Sequence, residues 1–326
     1  MSEQPLDNKY IYSLEGTRPI LLEMPHSGLG GFYSTDQLPP NIAAKIRFRS
    51  PKVRNTVGSG CDSAVPHMSD VFNLRNSYDL SLVFNELARV YCDTNRSKNE
   101  ISGWALEKEN ADQHYHGIIW AKTLLTDVDL SLDQESLEAI FKEKSEKTLS
   151  EPLTMSEFNT LMEQVYDLHH AKIRYLHQSS IRRHGFCIHL ALHSLPAMSV
   201  KKVLGGYVMG QKSNRGPFDL EKNTLPDIIL IHNNYKSTDK VLVDKVRHAF
   251  ESAGLIVEDG QGPFLGDIDV TKIYGNPRKG VNVIGIEHVT HETEPKRHLG
   301  IPEVNFAKSG EFQKVYRQAV INLLAE

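Results

Sequence analysis

The sequence predicts an α/β protein of three layers, α/β/α, with a mostly parallel mixed sheet at its centre. Three observations point there. Short runs that are apolar nearly throughout recur along the chain, amphipathic helical patterns lie between them, and the two kinds alternate. Runs of that kind suit central strands buried on both faces.

The predicted strands, in order, are RPILLEM (18–24), ARVYCD (88–93), GFCIHLAL (185–192), PDIILIH (226–232), GLIVED (254–259) and NVIGIEHV (282–289). Three segments read as helices. In FNTLMEQVYDLHHAKIRYLHQSSIRRHG, Leu161, Val165, Leu168 and Tyr175 share or border one face and Gly185 is the stop. In STDKVLVDKVRHAFESAG, Ser237 or Thr238 is the expected cap, Val241, Val246 and Phe250 form a stripe, and Gly254 closes the helix. The third is the C-terminal EFQKVYRQAVINLLAE. Residues 98–150 are polar and read as a mainly helical excursion over the active face.

A chain of 326 residues, 40% hydrophobic and 24% charged, is that of an ordinary globular protein. No linker rich in Pro, Gly or Ser and no repeat divides it, so a single domain over 1–326 is expected. A net charge of −4 and a pI near 6.4 give no electrostatic case for nucleic acid or an anionic membrane, and point to a small-molecule partner. The N-terminus lacks a basic stretch followed by an apolar one, and no run approaches 18 apolar residues. Cys61, Cys92 and Cys187 are odd in number and form no CxxC pair, which suits a reducing cytoplasm. Nothing in the sequence fixes an oligomeric state.

Chemistry-bearing residues collect at strand ends. In MPHSG, His26 stands where an apolar run stops, and LALHSLP repeats the situation at His193. Two such histidines are consistent with two neutral imidazoles offered to one metal. In CDSAVPHMSD, Asp62 either supplies an oxygen ligand or caps the following helix; His67 is a competing ligand. Two histidines and one carboxylate would leave the fourth position open for water, as a hydrolytic zinc needs. ARVYCDTNR carries Arg89, Asn95 and Arg96, a guanidinium fork and an amide suited to an acidic small substrate, or else a pair of surface ion pairs. Glu287, inside a β-patterned run, must be paired, bound to a metal or kept for chemistry. The HE of His291 and Glu292 lacks the second histidine of an HExxH signature.

Taken in order, PHSG, CDSAVPHMSD, ARVYCDTNR, LALHSLP and IGIEH resemble the N-formylglutamate amidohydrolase family, related to the zinc carboxypeptidases and aspartoacylases. The resemblance spans roughly residues 18 to 292, and DVTKIYGNP with Lys272 and Tyr274 adds to it. It implies a zinc carboxypeptidase-like fold and one Zn²⁺ per chain, another divalent ion being an alternative. It also implies His26, Asp62 and His193 as metal ligands, Glu287 as general base and Arg89 as the group that polarises the carbonyl. Asn95 and Arg96, with Lys272 and Tyr274 beside them, would bind the substrate, a small acidic N-acyl amino acid such as N-formyl-L-glutamate. Three positions depart from the family pattern: Ala191 replaces an aspartate, Gly285 a glutamine and Lys272 an arginine. Losing a carboxylate that orients a metal histidine reduces metal affinity about 10 to 100-fold.

Overall fold

The computed structural model describes residues 10–26, 38–46, 65, 69–100, 118–119, 122–124, 139, 145–196, 207–208, 211–212, 226–260, 269–290 and 306–325. Its strands are β1 Ile11–Leu14, β2 Ile20–Met24, β3 Ser81–Asn85, β4 Lys122–Leu124, β5 Ser145–Lys147, β6 Cys187–Pro196, β7 Tyr207–Val208, β8 Gln211–Lys212, β9 Ile228–Ile231, β10 Val257–Asp259 and β11 Val281–Thr290. The helices are α1 Pro40–Lys45, α2 Val71–Tyr78, α3 Met155–Leu161, α4 Leu168–His184, α5 Lys240–Ser252, α6 Asp269–Tyr274 and α7 Phe306–Ala325.

Seven strands form one sheet in the order β1-β3-β2-β6-β11-β9-β10. The run β3, β2, β6 and β11 is parallel throughout, β1 and β9 join it antiparallel, and β10 lies parallel to β9. This is the mixed, mostly parallel sheet expected. Because side chains alternate along each strand, the sheet buries two different sets. Leu21, Val83, Ala191, Ile229 and Val283 pack on one side with Ile173 and Leu176 of α4; Leu22, Leu82, Leu190, Leu230 and Ile284 pack on the other with Leu74 of α2, Val246 of α5 and Tyr316 of α7. Among the described residues no helix is long and apolar enough to cross a membrane.

Some elements differ from expectation. ARVYCD is not a strand: β3 lies one step earlier, at Ser81–Asn85, and residues 89–91 are a turn closed by Tyr91 N–H on Ala88 O at 3.0 Å. Ala88, Val90, Tyr91 and Cys92 are buried, so their apolar character comes from packing against the helical layer without a ladder. The edge strand β1, with alternating burial, is not among the predicted strands. Within 98–150, expected to be mainly helical, the described residues include the antiparallel pair β4 and β5; most of the segment lies outside them.

The expected caps of α5 serve the sheet instead. Ser237 Oγ donates to Val283 O at 2.8 Å and Thr238 Oγ1 to Asn282 Oδ1 at 3.3 Å, while Asp239 is the N-cap residue. Both hydroxyls are buried, and a buried hydroxyl is costly without a partner, so they staple the start of α5 to β11. Gly254 does close the helix, at φ +94.

The long helical segment is interrupted. After α3, which begins in a capping box between Thr154 and Glu157, residues Met162–Asp167 form a π turn before α4. The widened turn shifts the phase of α4 behind it. Leu161 and Val165 are buried as expected, but Leu168 is only partly so, and the inward positions pass to His169 and His170. Gly185 ends α4 at φ +80.

Gly275, just after α6, has no room for a side chain: a Cβ there would lie 2.3 Å from Ser237 Cβ and 2.5 Å from Thr271 O. Gly275→Ala is expected to destabilise the protein by about 1 to 3 kcal/mol through overpacking, read as a lower midpoint in urea.

Candidate metal centre and substrate cleft

β2 ends beside β6, whereas β6 and β11 stay paired as far as Pro196 and Thr290, so His26 follows a strand end while His193 and Glu287 lie within their strands, not at the strand end expected for His193. β2 stops at Met24, and Pro25, with no N–H to offer a ladder, turns the chain so that His26 comes next. The His26 and His193 rings meet edge to face, centroids 5.0 Å apart, and both side chains are buried. Glu287 is directly opposite His193 in the parallel register of β11 and β6, so the two side chains share a face. It is buried as well.

Asp93 holds this group to the arginines. Its side chain is wholly buried; Oδ1 is 2.7 Å from His26 Nε2 and accepts the Asn95 N–H at 3.0 Å. Oδ2 accepts from Arg89 Nε at 3.1 Å and Nη2 at 2.9 Å, and Arg96 Nε lies 3.9 Å away. Burial alone would push this carboxyl up; the charges of Arg89 and His26, the His26 hydrogen bond and Arg96 outweigh it and hold the group well below the usual carboxylate range. An ionised carboxylate only accepts, so His26 donates from Nε2, and in the neutral ring that leaves the lone pair on Nδ1. That is the carboxylate–histidine arrangement by which a metal-binding imidazole is oriented.

Asn95 and Arg96 are drawn to the same loop. Asn95 Oδ1 accepts the backbone N–H of Asp269 at 2.8 Å, which ties the loop to the start of α6. Arg96 lowers both Asp93 and Asp269 electrostatically, although burial leaves Asp269 raised. Lys272 reaches Asp269 Oδ1 at 3.2 Å. Tyr274 is turned elsewhere, its hydroxyl 2.7 Å from His170 Nδ1 and 3.4 Å from Arg174 Nη1. His170 Nε2 is 3.1 Å from Thr94 O, which can only accept, so Nδ1 takes the Tyr274 proton. Burial, then His169, lowers the His170 pKa to about 3 and keeps the ring neutral.

The structure therefore brings His193, in register with Glu287, against His26 just past the end of β2, and sets Arg89, Asn95 and Arg96 around Asp93. Among the described residues, Tyr274 is linked to this group through His170 and Thr94. Asp62 and His67 lie outside the described residues, and among the described residues no group of three or more His, Cys, Asp or Glu is arranged as a metal site. Asp93 is legible in the sequence as the acid of a motif, but its role as the hub is not. The clue is its i+4 spacing from Arg89, next to the apolar Cys92.

Comparison with known proteins supplies what geometry does not. The family model described as N-formylglutamate amidohydrolase matches residues 18–291. A crystal structure of N-formylglutamate amidohydrolase from Ralstonia eutropha is 20% identical, covers 97% of this chain and 96% of that one, and superposes with a TM-score of 0.65, which shows a shared fold. A gene product of Agrobacterium tumefaciens is 14% identical over 97% of this chain and 94% of its own, with a TM-score of 0.49. A metallo-carboxypeptidase from Burkholderia cenocepacia is 10% identical over 97% and 60%, with a TM-score of 0.34. No curated protein sequence matches. With the family model matched over most of its length, the chain belongs to the N-formylglutamate amidohydrolase family and is a hydrolase of amide bonds.

Proposed function

We propose that the protein hydrolyses the N-formyl, or a related N-acyl, amide of an acidic amino acid such as N-formyl-L-glutamate, releasing formate and the free amino acid, with one zinc ion per chain. The observation that carries this reading is the ring contact of His26 with His193, the register pairing of His193 with Glu287 on adjacent parallel strands, and the arginines tethered to Asp93 beside them.

The donor set suits zinc. His26, its Nε2 proton committed to Asp93, offers Nδ1; His193 is buried beside it; Asp62 would complete the protein ligands. Bound there, zinc would supply the charge that makes water nucleophilic near neutral pH.

The chain's own groups do the rest. Glu287, on the same face as His193, takes the proton of the attacking water and passes it to the departing amine nitrogen. Arg89 commits Nε and Nη2 to Asp93, which fixes its guanidinium plane for donation toward the oxyanion. Such a donor contributes about 3 to 4 kcal/mol to the transition state. Arg96 takes the α-carboxylate of the substrate, and the Asn95 amide nitrogen assists it, since the Asn95 oxygen already holds α6. Lys272 stands on α6 for the distal carboxylate.

The direct test is metal analysis of the purified protein together with formate release from N-formyl-L-glutamate before and after chelation. The expected result is zinc near one per chain and release that the chelator stops and zinc restores; metal-free protein with undiminished release would overturn the reading. Glu287→Gln should keep its zinc and lose turnover by about 10³-fold or more, as expected for removal of a general base. Full activity in that variant would remove Glu287 from the mechanism. Asp93→Asn keeps the shape of the side chain but not its charge, and is expected to weaken zinc about 10 to 100-fold in competition with a chelating dye.

A further inference from the structure

A second group of buried titratable side chains lies on the same side of the sheet and takes no part in the chemistry above. Glu23 of β2 is fully buried. Its Oε1 is 2.7 Å from His169 Nε2 of α4, and its Oε2 is 2.8 Å from His189 Nε2 of β6. His189 Nδ1 in turn lies 3.1 Å from His177 Nε2 of α4.

Burial acts against the Glu23 carboxylate, but its hydrogen bonds to His169 and His189 hold it well below the usual range, so it accepts from both rings. His169 Nδ1 is buried with no hydrogen-bond partner among the described residues, so the polar contact of this ring is Nε2 on Glu23. Burial, then His189, lowers His177 well below its usual value and keeps it neutral, with its Nε2 against His189 Nδ1. Glu23 is gripped by two N–H donors, one from α4 and one from β6.

Its position gives that grip a use. Hydrogen-bonded pairing of β2 with β6 runs from Ile20↔Ile188 to Glu23↔Ala191 and ends there among the described residues. Beyond that point His26, just past the end of β2, meets His193 of β6. Ala191, opposite Glu23, and His189 face the same side of β6. The next residue of α4 after His169 is His170, which holds Thr94 O beside Asp93, and Asp93 holds His26. The two adjacent histidines of α4 thus fasten the strand beneath the site and the loop beside it.

We propose that Glu23 is a positioning residue for the His26 and His193 pair, its carboxylate fastening β2 to β6 and to α4 where the backbone ladder between the two strands ends. Its use in catalysis rests on the zinc reading above; the geometry it enforces does not.

The test uses ¹⁵N-histidine-labelled full-length protein without metal, with the imidazole signals of His26 and His193 assigned from His26→Gln and His193→Gln. Glu23→Gln, nearly isosteric but with only one acceptor oxygen, is expected to shift both signals. Glu23→Asp, which keeps the charge one methylene short, should shift them less, and it stands alone if the Gln variant does not fold. Val83→Ala, a core change at the residue paired with Glu23 on β3, serves as the stability control and should leave both signals in place. The same order is expected in zinc affinity, about tenfold or more weaker in Glu23→Gln and partly recovered in Glu23→Asp. Unmoved His26 and His193 signals in the Glu23 variants, or equal movement in Val83→Ala, would overturn the proposal. A wild-type protein that neither binds zinc nor releases formate would overturn the zinc reading alone, because the imidazole signals decide the clamp without it.

Discussion

One buried carboxylate, that of Asp93, sets the conditions for everything around it. An ion that far from water is costly unless its neighbours complete its hydrogen bonds, and here His26, Arg89 and the Asn95 N–H do so. The dependence runs both ways. His26 owes its tautomer to the carboxylate, and Arg89 its fixed plane. Removing one partner from a buried ionic group typically costs about 3 to 5 kcal/mol, so the arrangement behaves as one unit. The loop carrying it is held from outside as well, through Asp93 N–H on Ile118 O at 2.8 Å and Asn95 on the start of α6.

The interface between α4 and the sheet belongs to the same design. A helix covering a sheet ordinarily does so with apolar side chains, yet α4 turns His169, His170, Lys172 and His177 inward as well as Ile173 and Leu176. Lys172 is fully buried and reaches Ser13 Oγ on β1 at 3.1 Å. Hydrogen bonds are directional where apolar contact is not, so a helix seated in this way has one register on the sheet. Precision at the strand ends results from that single seating.

The architecture was legible because strands buried on both faces must be apolar throughout; ILLEM, CIHLAL, IILI and VIGIEHV announce themselves. The same signal misled at ARVYCD, where apolar residues pack as a turn, since burial and not conformation is what hydrophobicity reports. The exchange of Ser237 and Thr238 from helix cap to sheet staple depended on Asn282 and Val283, distant in sequence and invisible to a local rule. The π turn carries no Gly or Pro to mark it, and with it the inward turn of His169 and His170 escaped. At the site, His26, His193 and Glu287 were legible as polar residues at the ends of or inside apolar runs. Asp93 as hub and Glu23 as clamp were not, because each takes its meaning from partners that only the folded sheet supplies.

The strand order also governs when these groups can first meet. β2, β6 and β11 are neighbours in the sheet, but Ile20 pairs with Ile188, and Cys187 with Val281. Contacts between such distant segments require large loops to close before any pairing rewards them, and chains dominated by such contacts fold slowly. During synthesis the His26 strand emerges long before β6, and β6 well before β11. Until β11 arrives, β6 presents an apolar edge still in need of its central neighbour, and edges of that kind invite pairing with other chains. The strand that brings Glu287 beside His193 is therefore also the one that closes the middle of the sheet, so the proposed site and protection from aggregation are completed in the same step.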